Sequence, residues 1–187
     1  LTEFLPVSSS GHLEIARELL DTNQLPSDNL LMTSVLHFAT ALSTILVFKK
    51  DIFNLIKGLF DKENKTSKSY VIKILIAIVP AGLVGFLLSD EIEYLFSGNM
   101  ILVGIMLIIT GTLLFLTKIL KTKNFKISKV HALIIGLSQA FAVIPGISRS
   151  GATICTSLFL GNNKSEAAKF SFLIVIPVIF LSLIHIS

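Results

Sequence analysis

Two short strings in this chain carry residue types suited to phosphate chemistry. The first reads Thr2-Glu3-Phe4-Leu5-Pro6-Val7-Ser8-Ser9-Ser10-Gly11-His12. An imidazole near neutral pH serves as base, acid or nucleophile, and Ser8 and Ser9 lie within one tight loop of His12, close enough for a serine–histidine hydrogen bond. Glu3 can hold a divalent cation or orient His12. The second string reads Pro145-Gly146-Ile147-Ser148-Arg149-Ser150-Gly151-Ala152-Thr153, with apolar sequence on both sides of Arg149. An arginine at membrane depth costs at least about 2.5–3.5 kcal/mol on insertion scales, so it needs a partner or an anionic ligand. Its planar fork grips a phosphate through two parallel hydrogen bonds. Ser148, Ser150 and Thr153 add hydroxyl donors. Gly146 and Gly151 let the backbone turn tightly, and a helix starting after Gly151 would add its free N–H groups. The plainer alternatives are a structural ion pair between Arg149 and Glu3, and a helix-capping serine run with Glu3 and His12 on the outer surface.

The elements that must position these strings are membrane helices. The chain has 187 residues, of which 52% are hydrophobic and 15% charged. Its mean hydropathy is +0.81. A soluble domain carries about 25% charged residues and cannot hide this much apolar surface. Four runs approach the roughly 20 residues that span a bilayer: Leu31 to Phe48, Tyr70 to Leu88, Met100 to Leu120, and Ala167 to the end. Pro80, Gly82 and Gly85 inside the second are tolerated because neighbouring helices satisfy the freed backbone groups. The expected fold is therefore all-α, a polytopic membrane helix bundle forming a single integral membrane domain over residues 1–187.

Loop charge sets the orientation. Twelve of the sixteen Lys and Arg fall in Lys49–Lys73 and Lys118–Lys129, which are placed in the cytoplasm. The acidic stretches Asp21–Asn29 and Ser89–Asn99 carry no base and are placed outside. This distribution argues against a nucleic-acid partner, since the basic residues do not share one soluble face. The single cysteine, Cys155, permits neither an intrachain disulfide nor a Cys-based metal site and reads as a small packing residue.

Residues 1–30 and 131–161 do not read as simple spans. Both are apolar but broken by Pro, Gly and dense Ser, and they resemble each other. Leu1-Thr2-Glu3 matches Leu137-Ser138-Gln139, and Ser8-Ser9-Ser10-Gly11 matches Ser148-Arg149-Ser150-Gly151. Three spans separate the copies, so they should enter from opposite sides as an inverted repeat of two re-entrant, broken-helix segments. His37, on a span, is expected to pack or hydrogen-bond between helices. His131 is expected at a cytoplasmic helix start, and Glu14, Arg17 and Glu18 at a solvated helix end. The chain opens inside a motif and stops within an apolar run, so it reads as a piece truncated at both ends.

On these two strings the chain resembles the undecaprenyl-diphosphate phosphatases of the bacitracin-resistance type. Weaker echoes run through Val35-Leu36-His37-Phe38, Ile78-Val79-Pro80-Ala81 and Ser165-Glu166-Ala167-Ala168-Lys169-Phe170. The resemblance implies a multi-pass enzyme of the bacterial inner membrane that recycles the lipid carrier for cell-wall synthesis. It implies that His12 is the catalytic histidine, that Ser8 or Ser9 is an alternative nucleophile, and that Ser148, Arg149 and Thr153 bind phosphate. It also implies a divalent cation, Mg²⁺ or Ca²⁺, with Glu3 as the second acid of a glutamate-rich motif whose first acid would precede Leu1. The implied partners are a polyprenyl diphosphate substrate and membrane lipid; a homodimer is left open. A second lipid phosphatase superfamily also carries Ser-Gly-His and Ser-Arg strings. It requires a histidine a few residues after its arginine, and none follows Arg149 before Gly161. The rival from another class is a polyprenyl-phosphate transporter or flippase, because inverted repeats with broken helices are typical of transporters.

Overall fold

The computed structural model describes residues 5–20, 26–61, 63–88, 99–120 and 123–186; the side chains of 17, 26–34 and 181–186 lie outside the description. Glu3 and the loop bearing Asp90, Glu91 and Glu93 fall outside it as well. The described residues form helices and no named strand. In chain order these are α1 (Ser9–Leu19), α2 (Pro26–Val47), α3 (Lys49–Phe60), α4 (Lys65–Leu87), α5 (Met100–Ile119), α6 (Lys129–Phe141), α7 (Arg149–Phe159) and α8 (Lys164–Ile186).

Short polar residues start most of them. The Asn64 side chain accepts from Ser67 N at 3.0 Å, Asn99 from Leu102 N at 3.1 Å, and Ser128 from His131 N at 3.1 Å. Each bond satisfies a backbone donor that a helix N-terminus otherwise leaves unpaired. Pro26 opens α2, where its missing N–H costs nothing. The long elements α2, α4, α5 and α8 run 22, 23, 20 and 23 residues. At 1.5 Å per residue each reaches about 30 Å or more, the thickness of a hydrocarbon core. Among the described residues α4 and α5 are both long and apolar enough to cross a membrane. Their outward faces are apolar: Phe86 is 70% exposed, and Ile101 77%. In water such a surface would be a liability, whereas in lipid it is the normal exterior.

The core forms where α4, α6 and α8 meet, around Ala77, Ala132, Ile135, Phe170 and Ile174. Gly136 lets α6 approach α4 closely: a Cβ there would stand 2.5 Å from the Ala77 carbonyl oxygen. Small residues at helix contacts are how membrane helices gain packing without a hydrophobic driving force between them. Tyr70 meets Phe170 edge-on with ring centroids 5.8 Å apart. Lys169 of α8 pairs with Asp51 of α3. Helices thus stand where all four spans were expected, and two of them, α4 and α5, meet the length and apolarity of a span. Glu14 departs from expectation: it is buried, only 8% exposed, where a solvated helix end was anticipated. Glu18, one turn further along the same helix face, is exposed beside the end of α1, so the burial of Glu14 reflects what packs against the middle of α1.

Candidate active site

Each serine string folds as a turn followed by an 11-residue helix. In the first, Ser8 is the N-cap of α1 and its Oγ accepts from Gly11 N at 3.2 Å; Ser8 Oγ also lies 3.3 Å from Ser10 Oγ. In the second, Ser148 caps α7, its Oγ accepting from Gly151 N at 3.0 Å and lying 3.4 Å from Ser150 Oγ. The same three positions do the same work in both, 140 residues apart. Their neighbours differ. Ser9 stands where the second string has Arg149, and His12 where it has Ala152.

The two tips touch. A Cβ on Gly11 would lie 3.1 Å from Gly146 Cα, and one on Gly151 would lie 3.1 Å from the Pro6 carbonyl oxygen. The contacts are reciprocal, because residues 6 and 11 of one string meet the counterparts of 11 and 6 in the other. Helix α5 backs both: Leu107 reaches Gly11, and Val103 and Met106 crowd Gly146. Gly146 has φ +93, a conformation L side chains avoid, and a Cβ would lie 2.6 Å from the Val103 carbonyl oxygen. Only glycine meets both demands. Thr110 of α5 completes the support, donating to the Gly146 carbonyl at 3.2 Å and accepting from Ser148 N at 3.2 Å.

His12 is exposed on the first turn of α1. Its Nδ1 is 2.7 Å from the Ser8 carbonyl oxygen. A carbonyl only accepts, so Nδ1 carries the proton, and in the neutral ring the lone pair sits on Nε2. That is the arrangement a base or nucleophile requires. Ser9 is half-buried beside it, and Ser8 holds the strained φ of +64. Arg149 is half-buried at the first position of α7, and its Nη2 donates to His37 Nε2 at 3.4 Å. Thr153 is fully buried. Its Oγ1 lies 3.0 Å from the Arg149 carbonyl and 2.5 Å from Ser171 Oγ. With one proton to give, it donates within its own helix and accepts from Ser171, so it braces the start of α7.

The structure therefore brings Ser8, Ser9, Ser10 and His12 onto one tip, and Ser148, Arg149 and Ser150 onto the tip packed against it. His37 hydrogen-bonds between helices as expected, reaching Arg149 from α2, a partner that the sequence did not name. Sequence reasoning missed Thr110. Thr110 holds the second tip, and nothing local in the sequence sets it apart from Thr112 and Thr117 on the same span. Gln139, the counterpart of Glu3, is fully buried with neither amide atom partnered among the described residues. A separate cavity of about 260 Å³ between α2, α3, α4 and α8 is lined by residues such as Ile45, Leu59 and Leu173. It offers no polar group to a phosphate. Among the described residues no cluster of three or more His, Cys, Asp or Glu could hold a metal.

Known proteins resemble this chain over nearly its whole length. A family model described as bacitracin resistance protein BacA matches residues 1–186. A curated relative from Christiangramia forsetii, named undecaprenyl-diphosphatase, is 53% identical over 180 residues, covering 96% of this chain and 68% of that protein. Relatives of the same name from Bacteroides fragilis and Methanococcus vannielii are 47% and 44% identical, again over 96% of this chain and over 67% and 71% of theirs. The chain belongs to the bacitracin resistance protein BacA family.

Proposed function

We propose that the protein hydrolyses undecaprenyl diphosphate to undecaprenyl phosphate and inorganic phosphate in the bacterial inner membrane. The observation that carries this reading is the reciprocal packing of an arginine-bearing tip on a histidine-bearing one. Phosphoryl transfer asks little covalent chemistry of a protein beyond a positioned attacking atom and fixed positive charge around the phosphoryl oxygens. Arg149 supplies the charge, and the hydroxyls of Ser148 and Ser150 stand beside it. His12 offers Nε2. Either Nε2 attacks the terminal phosphorus, or it takes the proton from Ser9 Oγ as that oxygen attacks. In both routes the anhydride P–O bond breaks, undecaprenyl phosphate leaves, and water frees inorganic phosphate from the phospho-enzyme.

A divalent cation, Mg²⁺ or Ca²⁺, belongs to this proposal with Glu3 as its protein ligand. Mg²⁺ commonly binds through one or two carboxylates plus substrate phosphates, so a Glu3 carboxylate beside a bound diphosphate suits it. When bound, the ion would neutralise charge on the diphosphate. The two tips are read as re-entrant segments of an inverted repeat. Support comes from their matching caps, their equal helix lengths and their exchanged glycine contacts. In this reading the site opens toward the outer side, as the loop charges suggest.

The test is phosphate release from polyprenyl diphosphate by the purified protein in detergent micelles, where no gradient exists. Release that is lost in Arg149→Ala supports the hydrolase. Binding of the lipid with no release, together with lipid movement in vesicles, would favour the transporter reading instead.

A further inference from the structure

We infer that His37 is a positioning residue for Arg149, its neutral ring accepting one guanidinium N–H and so fixing where the remaining donors point. The inference rests on the reading that Arg149 grips the terminal phosphate. A guanidinium offers five donors and no acceptor. The atom 3.4 Å from Arg149 Nη2 is His37 Nε2, which must therefore present a lone pair, leaving the ring proton on Nδ1. A protonated ring would set one cation against another.

The two residues lie far apart in sequence, and the contact ties the arginine to a third element, α2. Arg149 sits at the first position of α7 on a long side chain, where helix geometry fixes its Cα but not its fork. Phosphate recognition through two parallel hydrogen bonds needs that fork held in one plane. An acceptor at one Nη sets the plane in which the guanidinium fork meets phosphoryl oxygens. Both residues are half-buried, so the contact is shielded from bulk water while the guanidinium stays within reach of a ligand.

The experiment measures steady-state phosphate release by the purified protein in detergent for His37→Gln, His37→Leu, Arg149→Lys and the double variant His37→Leu with Arg149→Lys. Glutamine keeps an acceptor, so His37→Gln is expected to stay within about threefold of wild type in kcat/KM. Leucine removes the acceptor, and kcat/KM is expected to fall about tenfold, mostly through KM. In the Arg149→Lys background His37→Leu should add no more than about twofold, because its target is gone. A purely structural histidine would give Gln and Leu variants with matching losses that follow the thermal midpoint. If His37→Leu fails to fold, His37→Met replaces it in the series. Wild-type kinetics in His37→Leu alongside a crippled Arg149→Lys would overturn the inference and leave the site assignment standing. Losses that multiply fully in the double variant would also overturn it. Normal turnover in Arg149→Lys and Arg149→Ala would remove the site reading itself.

Discussion

The two serine-rich tips share one plan and differ in finish. Both cap an 11-residue helix with a serine whose Oγ accepts from the glycine three residues on. The second tip is locked down. Ser148 has an ordinary extended φ of −76 and donates its N–H to Thr110 of α5, while Ser171 of α8 bonds Thr153 one turn on. The first tip is strained. Ser8 holds φ +64, His12 beside it is exposed, and α1 packs chiefly on α5. The braced tip carries the permanent cation, and the strained one carries, on its exposed histidine, the group that must exchange protons. A fixed charge works best when it need not reorganise, whereas a base or nucleophile must meet substrate and water. One supersecondary unit has been divided into an electrostatic half and a reactive half.

The largest way to break this comparison is to remove the charge. Arg149→Ala should lower kcat/KM by roughly a thousandfold in a phosphate-release assay, the scale typical of deleting a dedicated transition-state cation. Circular dichroism should be unchanged. Next comes the support of the braced tip. Gly146→Ala must place a Cβ against the Val103 carbonyl at φ +93, so it should cost about 2–3 kcal/mol or more in detergent unfolding. Gly82→Ala in α4, where a Cβ meets nothing within 4 Å, should be neutral or stabilising by up to about 1 kcal/mol. Equal losses at both glycines would mean the tip is not specially constrained. The smallest effect sharpens the strain argument. Ser8→Ala loses the cap but keeps the strained φ and should cost about 1 kcal/mol. Ser8→Gly relieves the strain and costs only a few tenths as a cap, so it should be close to neutral.

Much of the fold was legible because lipid imposes a simple rule. Each span must be apolar and about 20 residues long, so α2, α4, α5 and α8 announced themselves by hydropathy. Hydropathy placed the start of α4 at Tyr70, whereas the helix begins at Lys65, because the capping side chain of Asn64 and not the apolar run sets it. The residues of the two tips were legible for a related reason: His12 and Arg149 are costly in apolar surroundings, so their presence demanded a purpose. The supports were not legible. Thr110 and His37 act by facing particular atoms of a distant helix, and no local pattern encodes that partner. Glu14 was placed with Arg17 and Glu18 at a solvated helix end; which part of α1 turns inward is decided by its packing on α5, a tertiary fact. The shared support from α5 for both tips likewise depends on three-dimensional contact between segments far apart in the chain.

The central claim is that His12 and Arg149 serve the same phosphoryl group from opposing tips. A double-mutant cycle on kcat/KM for phosphate release, with His12→Ala, Arg149→Lys and the pair, tests it most directly. Groups that act on one transition state give strongly non-additive losses. The account predicts that the double variant is little slower than the slower single variant. Losses that multiply in full, or a His12→Ala enzyme with near-normal turnover, would contradict it.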